Sequence, residues 1–178
     1  MEGVTGATFR RVHAQVFGAL DRYYTPFLPP LRVGHAFGKK HLQEVDQARN
    51  AGLDVVPQLL TKSADEFVWA AGLLAELGYR EVDLNVGCPA GTVVSKGKGA
   101  GMLRDVAGLE AFLQDVCERS PLPVSVKTRI GLVDDGEFDE ILDMYCRLPL
   151  TELVVHPRVQ RDFYKGAPRR EAYGRALE

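Results

Sequence analysis

The sequence has few cysteines, no long apolar run and no large excess of charge, and each shortage excludes a class of protein. Its three cysteines, Cys88, Cys117 and Cys146, are odd in number and far apart. That spacing argues against a disulfide framework or a metal site and favours a reducing compartment, so we expect a cytoplasmic protein. Cys117 and Cys146 lie in helical patterns and are expected in the core. No run approaches the roughly 20 apolar residues of a membrane span, and no signal peptide is visible, so no membrane partner is expected.

The composition is that of an ordinary globular protein, with 46% hydrophobic and 26% charged residues. A chain of 178 residues suits one domain or part of a larger one. The net charge of −2 is unevenly distributed: residues 1–50 carry seven basic and four acidic side chains, residues 51–155 nine and seventeen, and residues 156–178 six and three. Basic ends around an acidic middle fit the docking of a polyanion, but solvated helix faces explain them equally well.

Strand and helix patterns alternate along the chain, at roughly 25–35 residues per unit. A short strand and loop are predicted over 23–33, and longer strands near 54–60, 81–86, 123–129 and 151–158. Helices are predicted over 7–20, 40–50, 63–78, 106–116 and 137–147. Phe9, Val12, Val16 and Leu20 share one side of the first, Ser63-x-x-Glu66 forms a capping box for the third, and Asp105 caps the fourth. This alternation predicts a parallel sheet with crossover helices, either an open doubly wound sheet or a (β/α)8 barrel. No GxGxxG motif follows a strand, so a Rossmann dinucleotide site is not supported.

The positions of polar residues within the strands favour the barrel. They share one parity, whereas the alternating positions are apolar; the polar set is Gln58, Asp83, Asn85, Ser125, Lys127, Arg129, His156 and Arg158. All of them except Asp83 and Ser125 fall late in their strands. In a barrel the outer face meets helices, and polar groups collect at the C-terminal mouth, where barrel active sites lie. We therefore expect the four longer strands to be parallel and adjacent in chain order. Gln58, Asn85, Lys127 and His156 should then point to a common centre.

The strand over 81–86 ends at Gly87-Cys88-Pro89. Pro89 cannot continue the strand ladder, so the Cys88 thiol is presented at a strand end. A buried cysteine acting as a small hydrophobe is the alternative. Four glycines follow between residues 91 and 101. They make this segment mobile, or they allow a close approach of the backbone. A mobile segment would serve as a lid that carries the thiol inward.

Short motifs stand in a characteristic order along nearly the whole chain. They are Met-Glu-Gly-Val-Thr (1–5), Gln-Leu-Leu (58–60), Asp-Leu-Asn-Val-Gly-Cys-Pro (83–89), Lys-Gly-Lys-Gly-Ala-Gly (96–101), Pro-Val-Ser-Val-Lys-Thr-Arg-Ile-Gly (123–131), Val-Val-His-Pro-Arg (154–158) and Tyr-Lys-Gly (164–166). In this order they resemble the tRNA-dihydrouridine synthase family. The Asn-x-Gly-Cys-Pro motif together with the Val-Lys-Thr-Arg strand is the most specific part of the resemblance.

The resemblance implies an α/β fold, a (β/α)8 TIM barrel, followed in the family by a small helical tRNA-binding domain. Residues 1–178 would then be a partial barrel catalytic domain. Strands 2 to 6 would be present, strand 1 would be a stub, and strands 7 and 8 and the helical domain would be absent. The family reduces uridines in tRNA to 5,6-dihydrouridine, with FMN as cofactor and NADPH as reductant. A monomer with tRNA as partner, no membrane and no metal is expected.

The resemblance also assigns roles to single residues. Cys88 is the expected proton donor to uracil C5, while reduced flavin gives hydride to C6. The expected cofactor contacts are Met1, Glu2, Gln58, Asn85, Lys127 and His156, with Asn85 also near the target uracil. Arg129 and Arg158 are possible supporting residues. His-Pro-Arg at 156–158 replaces the commoner His-Gly-Arg or His-Ala-Arg of the family.

Two other functions stay open at the level of sequence. One is a flavoenzyme on free pyrimidines, similar to dihydroorotate or dihydropyrimidine dehydrogenase. The other is a non-catalytic RNA-binding remnant that keeps part of the barrel without turnover.

Overall fold

The computed structural model describes residues 3–29 and 31–177. The expected cofactor contacts Met1 and Glu2 lie outside the described residues. Within the described part of the chain, no helix is long and apolar enough to cross a membrane.

The chain adopts an α/β fold in which strands and helices alternate. The strands are β1 (Tyr23–Tyr24), β2 (Val55–Val56), β3 (Gln58–Leu59), β4 (Val82–Val86), β5 (Val124–Arg129) and β6 (Leu153–His156). The helices are α1 (Ala7–Phe17), α2 (Lys39–Leu42), α3 (Ala64–Glu76), α4 (Gly91–Val94), α5 (Val106–Arg119), α6 (Phe138–Cys146) and α7 (Arg170–Arg175). Short 3-10 segments occur at Gly99–Arg104, Asp135–Glu137 and Gln160–Asp162.

All strand pairings are parallel, and the predicted order of the four longer strands is confirmed. β1 pairs with β2, and β3, β4, β5 and β6 form a four-stranded sheet in chain order. Pro57 separates β2 from β3, because proline has no N–H to donate to the ladder. Leu28, just after β1, forms a parallel bridge to Leu59. Within residues 3–29 and 31–177 the strands do not close into a barrel.

One face of the four-stranded sheet forms the core. Val82, Leu84 and Val86 of β4 are fully buried and pack in one cluster with Phe67 of α3 and Leu113 of α5. The alternating residues point to the opposite, polar face, as the period of two along a strand requires. This division leaves the polar face available for a site.

The helix ends agree with the sequence signals in part. Asp105 caps α5 by accepting a hydrogen bond from Gly108 N, as predicted. Ser63 caps α3 by accepting from Glu66 N, but the expected capping box is only half formed. The Glu66 carboxylate accepts from the Thr61 hydroxyl (2.6 Å) instead. The box fails because a nearer side-chain donor competes for that carboxylate.

The first helix ends earlier than predicted, and its apolar side is not buried. α1 stops at Phe17 because Gly18, with φ of 86°, leaves helical geometry. Phe9 and Val16 are 43% and 66% exposed. The inward side carries Arg10, which is fully buried and donates hydrogen bonds to Thr5 O, Glu44 O and Asn50 Oδ1.

The predicted helix over 40–50 is wrong beyond its first turn. α2 ends at Leu42, and turns fill the chain up to residue 53. The Asn50 amide donates to the carbonyl oxygens of Glu44 and Asp46, which a continuous helix would use internally. The core placement of Cys146 is also wrong, because that side chain is exposed, whereas Cys117 is half-buried.

Candidate active site

A cavity of about 510 Å³ lies at the carboxyl ends of β3 to β6. Its lining combines amide, thiol, ammonium, guanidinium, imidazole and aromatic groups: Tyr24, Thr25, Phe27, Gln58, Asn85, Gly87, Cys88, Lys127, Arg129, Val154, His156 and Tyr164. The volume is within the range of small-molecule sites. The expected convergence of Gln58, Asn85, Lys127 and His156 is therefore present.

The strand register explains why these side chains meet. Gln58 is level with Asp83, Asn85 with Lys127, and Arg129 with His156. Residues level with one another in parallel strands project from the same sheet face. The site is thus built in successive levels, with Asp83 deepest and Arg129 nearest the mouth.

A chain of side-chain hydrogen bonds runs across the floor of the cavity. Asp83 is fully buried, and its Oδ2 accepts from Gln58 Nε2 (2.7 Å). Gln58 Oε1 accepts from Asn85 Nδ2 (2.7 Å). Asn85 Oδ1 accepts from the backbone N–H groups of Gly87 (3.1 Å) and Cys88 (2.8 Å). Burial raises the pKa of Asp83 to about 7, opposed by hydrogen bonds from Gln58 and Ser125.

The backbone around Cys88 is held on its carbonyl side as well. Gly87 O accepts from Arg129 Nε (2.8 Å), Cys88 O from Ala100 N (3.1 Å) and Pro89 O from Gln160 Nε2 (3.0 Å). The half-buried Cys88 lines the cavity beside these anchors. The turn is therefore fixed by distant parts of the chain, and the thiol faces the cavity.

The glycine segment after Cys88 does not have the features expected of a lid. Residues 91–94 form α4, and Gly99, Ala100 and Gly101 are buried. A Cβ added to Gly99, where φ is 56°, would lie 2.8 Å from Cys88 O and 3.0 Å from Cys88 Cβ. Close backbone approach is therefore the reason for glycine at this position, which favours the second of the two sequence interpretations.

Replacing Gly99 by alanine is expected to destabilise the fold by about 1–3 kcal/mol and to displace the Cys88 turn. The added methyl group meets backbone, and the left-handed φ strains any residue with a Cβ. Urea unfolding and alkylation of Cys88, followed by peptide mass spectrometry, measure both effects. Gly91→Ala is the matched control, because a Cβ at Gly91 meets nothing within 4 Å. Equal behaviour of the two variants would contradict the packing argument.

Lys127 is a half-buried cation on the wall of the cavity. Its ammonium makes no hydrogen bond or ion pair within the part of the chain that the structure describes. Burial lowers the pKa of Lys127, the Asp83 carboxylate opposes that shift, and the Arg129 guanidinium adds to it. An unpaired cation in such a place favours an anionic ligand.

Arg129 holds the wall of the cavity together. It is 1% exposed, and its guanidinium donates to Gly87 O, Val159 O (3.0 Å) and Phe163 O (2.8 Å). These three carbonyl groups belong to the Cys88 turn and to the segment after β6. Arg129 therefore ties two walls of the cavity to each other.

His156 lies in the cavity in its neutral form. Arg158 Nη1 is 2.9 Å from His156 Nε2 and can only donate, so Nε2 accepts and the ring proton is on Nδ1. Burial, with the charges of Arg129, Lys127 and Arg158, lowers the pKa of His156 to about 4. Arg158 itself does not line the cavity; it also donates to Gly166 O (2.8 Å) and contacts the site through His156.

Tyr164 is a lining residue that the sequence did not single out as functional. Its ring stacks on His156, with centroids 6.1 Å apart, and the Arg129 guanidinium lies 5.4 Å from its centroid. The Tyr-Lys-Gly motif at 164–166 was the available signal, but it carried no role. Tyr24, Thr25 and Phe27 were also missed, because their stretch reads only as a short apolar strand and loop.

These features define an α/β protein with a ligand-binding site at the carboxyl ends of its parallel strands. Ligand sites of α/β proteins lie at the carboxyl ends of parallel strands, and here that edge combines a thiol, a lysine and two amides in one cavity. The family model described as dihydrouridine synthase (Dus) matches residues 1–173. The chain belongs to the dihydrouridine synthase family.

Curated relatives support this assignment. The chain is 30% identical over 165 residues to "Probable tRNA-dihydrouridine synthase 2" of Bacillus subtilis, an alignment that covers 93% of this chain and 50% of that protein. It is 31% identical over 172 residues to "Probable tRNA-dihydrouridine synthase 1" of Synechocystis sp., covering 95% and 47%. A Staphylococcus epidermidis relative, "Probable tRNA-dihydrouridine synthase", is 28% identical over 165 residues. The chain spans about half the length of the curated relatives it matches.

Proposed function

We propose that this chain contributes the uridine-reducing site of a tRNA-dihydrouridine synthase that uses FMN as cofactor and NADPH as reductant. The observation that carries the proposal is the meeting of Cys88, Lys127, Gln58 and Asn85 in one cavity. Membership of the family makes this chemistry the natural use of such a site. The names of the relatives point to tRNA as the substrate.

We also propose that residues 1–178 correspond to part of a (β/α)8 catalytic barrel in a cytoplasmic protein. The parallel order of β3 to β6, with polar side chains on one face and helices α3 and α5 on the other, supports this architecture. So does the greater length of the relatives.

The donors around the cavity fit a flavin. Each amide NH₂ group carries two hydrogens, and Gln58 Nε2 and Asn85 Nδ2 each use one within the described residues. Their remaining hydrogens, the Nδ1–H of His156 and the Lys127 ammonium suit the carbonyl oxygens and anionic groups of a flavin. FMN, when bound, supplies the hydride that adds to uracil C6.

The protein's own groups then have distinct tasks. Hydride addition at C6 leaves enolate-like negative charge on the base, and Cys88 Sγ donates its proton to C5. A thiol carries a transferable proton, so it can act as that acid. Lys127 stabilises negative charge in the cavity, and Gln58 and Asn85 orient the ring systems. Arg129 and Arg158 support the walls and His156.

Lysines in the segments after β3 and β4, of which Lys62 and Lys96 are exposed and Lys98 is half-buried, favour RNA over a free pyrimidine. Lys62, Lys96 and Lys98 follow the ends of β3 and β4, and none of them forms an ion pair among the described residues. A Cβ placed on Gly97 would lie 3.6 Å from Lys62 Nζ, so Lys62 borders the glycine segment. Unpaired lysines beside a site for a splayed-out base suit the phosphates that flank it.

The test is a direct assay of the purified protein. A flavin absorbance spectrum after purification, NADPH oxidation, and dihydrouridine formed in unmodified tRNA are measured together. Formation of dihydrouridine in tRNA, with free uracil left unreduced, is the expected result. Reduction of free uracil without reduction of tRNA would contradict the proposal and favour a flavoenzyme on free pyrimidines. Absence of flavin binding would favour a non-catalytic remnant.

Changing Lys62, Lys96 and Lys98 together to glutamine is expected to weaken tRNA binding about tenfold or more at low salt. Each lost phosphate contact should reduce the slope of log affinity against log salt by about 0.7–0.9. Filter binding over a salt series measures both quantities. Arg80→Gln is the control, because exposed Arg80 precedes β4 at the opposite end of the sheet. An unchanged slope in the triple variant would remove these lysines from the RNA interface.

A further inference from the structure

We propose that Asp83 is a positioning residue for the Cys88 thiol, acting through Gln58 and Asn85. The inference rests on the proposed function for its purpose, since a thiol needs a fixed direction only if it reacts. Its geometry stands on the hydrogen-bond chain alone. Asp83 is fully buried and is not among the residues that line the cavity.

The first observation is that Asp83 is buried and that both of its carboxylate oxygens accept hydrogen bonds. It is 0% exposed, its Oδ2 accepts from Gln58 Nε2 (2.7 Å), and its Oδ1 accepts from Ser125 Oγ (3.2 Å). A buried carboxyl group needs partners on both oxygens, and these two donors supply them. The orientation of Gln58 is therefore fixed by this hydrogen bond of 2.7 Å, because turning its NH₂ away would leave Asp83 Oδ2 buried without a donor.

The second observation is that the hydrogen bonds from residue 83 to Cys88 can run in only one donor-to-acceptor direction. The backbone N–H groups of Gly87 and Cys88 can only donate, so the oxygen of Asn85 must face them and its NH₂ must face Gln58. Gln58 must then turn its oxygen to Asn85 and its NH₂ to residue 83. The far end of the chain therefore requires an acceptor at residue 83, and aspartate supplies one.

The third observation is that this series of hydrogen bonds ends at Cys88, the residue whose side-chain orientation matters for the proposed reaction. The N–H of Cys88 is 2.8 Å from Asn85 Oδ1, the shorter of the two bonds that Asn85 accepts. If the amide of Gln58 turned over, its NH₂ would face the NH₂ of Asn85, and Asn85 would have to turn as well. Its NH₂ would then meet the two backbone N–H groups. Loss of the acceptor at residue 83 thus reaches the Cys88 turn through two side chains.

The experiment removes the acceptor without removing the side-chain volume. Asp83→Leu abolishes it, whereas Asp83→Asn keeps a carbonyl oxygen for Gln58 and offers its NH₂ to Ser125 Oγ, which can accept. Ser125→Ala is the matched control, because it removes the other partner of Asp83 and leaves the chain to Cys88 intact. Hydrogen exchange of the Gly87 and Cys88 amides, read at single-residue resolution, and the rate of Cys88 alkylation are measured in each variant.

We expect Asp83→Leu to accelerate exchange at Gly87 and Cys88 about tenfold, the equivalent of one lost hydrogen bond, and to change the alkylation rate of Cys88. Asp83→Asn and Ser125→Ala should stay within about twofold of the parent protein on both readouts, within the margin of substitutions that leave such bonds intact. Exchange at Leu113 in the α5 core reports on the fold and should be unchanged in all three.

A second variant keeps the test decisive if Asp83→Leu does not fold. Gln58→Met breaks the middle of the chain at a residue that borders the cavity, with little change in volume. It should reproduce the exchange seen for Asp83→Leu, and the double variant should show no further increase, because both changes interrupt one path.

Two results would overturn the inference: faster exchange in Asp83→Asn equal to that in Asp83→Leu, or unchanged exchange in both Asp83→Leu and Gln58→Met. The first would make charge, and not the acceptor, the property that matters. Neither readout needs flavin or tRNA. Failure of the proposed reaction with the expected exchange pattern would therefore refute the function and leave the positioning of Cys88 standing.

Discussion

Replacing Cys88 by alanine should lower dihydrouridine formation by about 10²–10⁴-fold, the usual contribution of a positioned general acid. In the proposed mechanism the thiol acts only after hydride has been delivered, so flavin content and the rate of flavin reduction by NADPH should be unchanged. Both half-reactions are followed on the same variant: flavin absorbance under anaerobic NADPH, then oxidation of the reduced flavin by tRNA. Normal reduction with a slow second step is the expected pattern.

Two controls separate an acid from a packed thiol. Cys117→Ala removes a half-buried thiol from α5, away from the cavity, and should leave both half-reactions intact. Cys88→Ser keeps a small polar group that is a far weaker acid, so it should be nearly as slow as Cys88→Ala. If Cys88 only filled space, alanine would cost about 1 kcal/mol of stability and activity would follow stability. Loss of both half-reactions, or of neither, would contradict the acid role.

Replacing Lys127 by methionine is the second change with a large expected effect. Methionine keeps much of the stem and removes the charge that faces the cavity. Affinity for FMN should fall about tenfold or more, or flavin reduction should slow by a similar factor, because a cation near developing negative charge contributes about 1.5–3 kcal/mol when it hydrogen-bonds. Equilibrium dialysis and stopped-flow absorbance measure the two effects.

The Lys127→Met substitution should not destabilise the flavin-free protein. Burial lowers the pKa of Lys127, so its positive charge is unfavourably placed in the flavin-free protein. Removing it should leave the free energy of unfolding unchanged or raise it slightly, as is common when a functional charge is removed. Lys165→Met, next to Tyr164 but exposed, is the control and should change neither property. A protein that loses stability and flavin affinity together would indicate a structural lysine instead.

The arrangement of the site gives these two residues different kinds of support. Cys88 lies in a turn whose backbone groups form hydrogen bonds with Asn85, Arg129 and Ala100. Lys127 is influenced by the charges of Asp83 and Arg129 and has no hydrogen-bonded partner in the described ranges. A fixed thiol and a cation with free donors are what proton donation and anion binding respectively require.

The sequence by itself determined the strand order and the face on which the site lies. Both follow from local rules: side chains alternate along a strand, and consecutive parallel strands joined by helices lie side by side. Gln58, Asn85, Lys127 and His156 could therefore be placed in one cavity from their positions alone. The Asp105 cap and the strand end at Cys88 were also readable, because a cap and a proline act within a few residues.

Only the tertiary structure decided how the remaining groups are used. Asp83 and Gln58 are 25 positions apart, and Arg129 reaches a carbonyl 42 positions away, so no local pattern reveals either bond. The close approach of Gly99 to Cys88 likewise turns an apparent lid into a packed wall. The apolar side of α1 has a helical period and is still exposed, because the buried Arg10 on the other side donates hydrogen bonds to Thr5, Glu44 and Asn50. Period and propensity are properties of neighbours in sequence, whereas the partners of a buried polar group are set by which distant segments the fold brings within hydrogen-bonding distance.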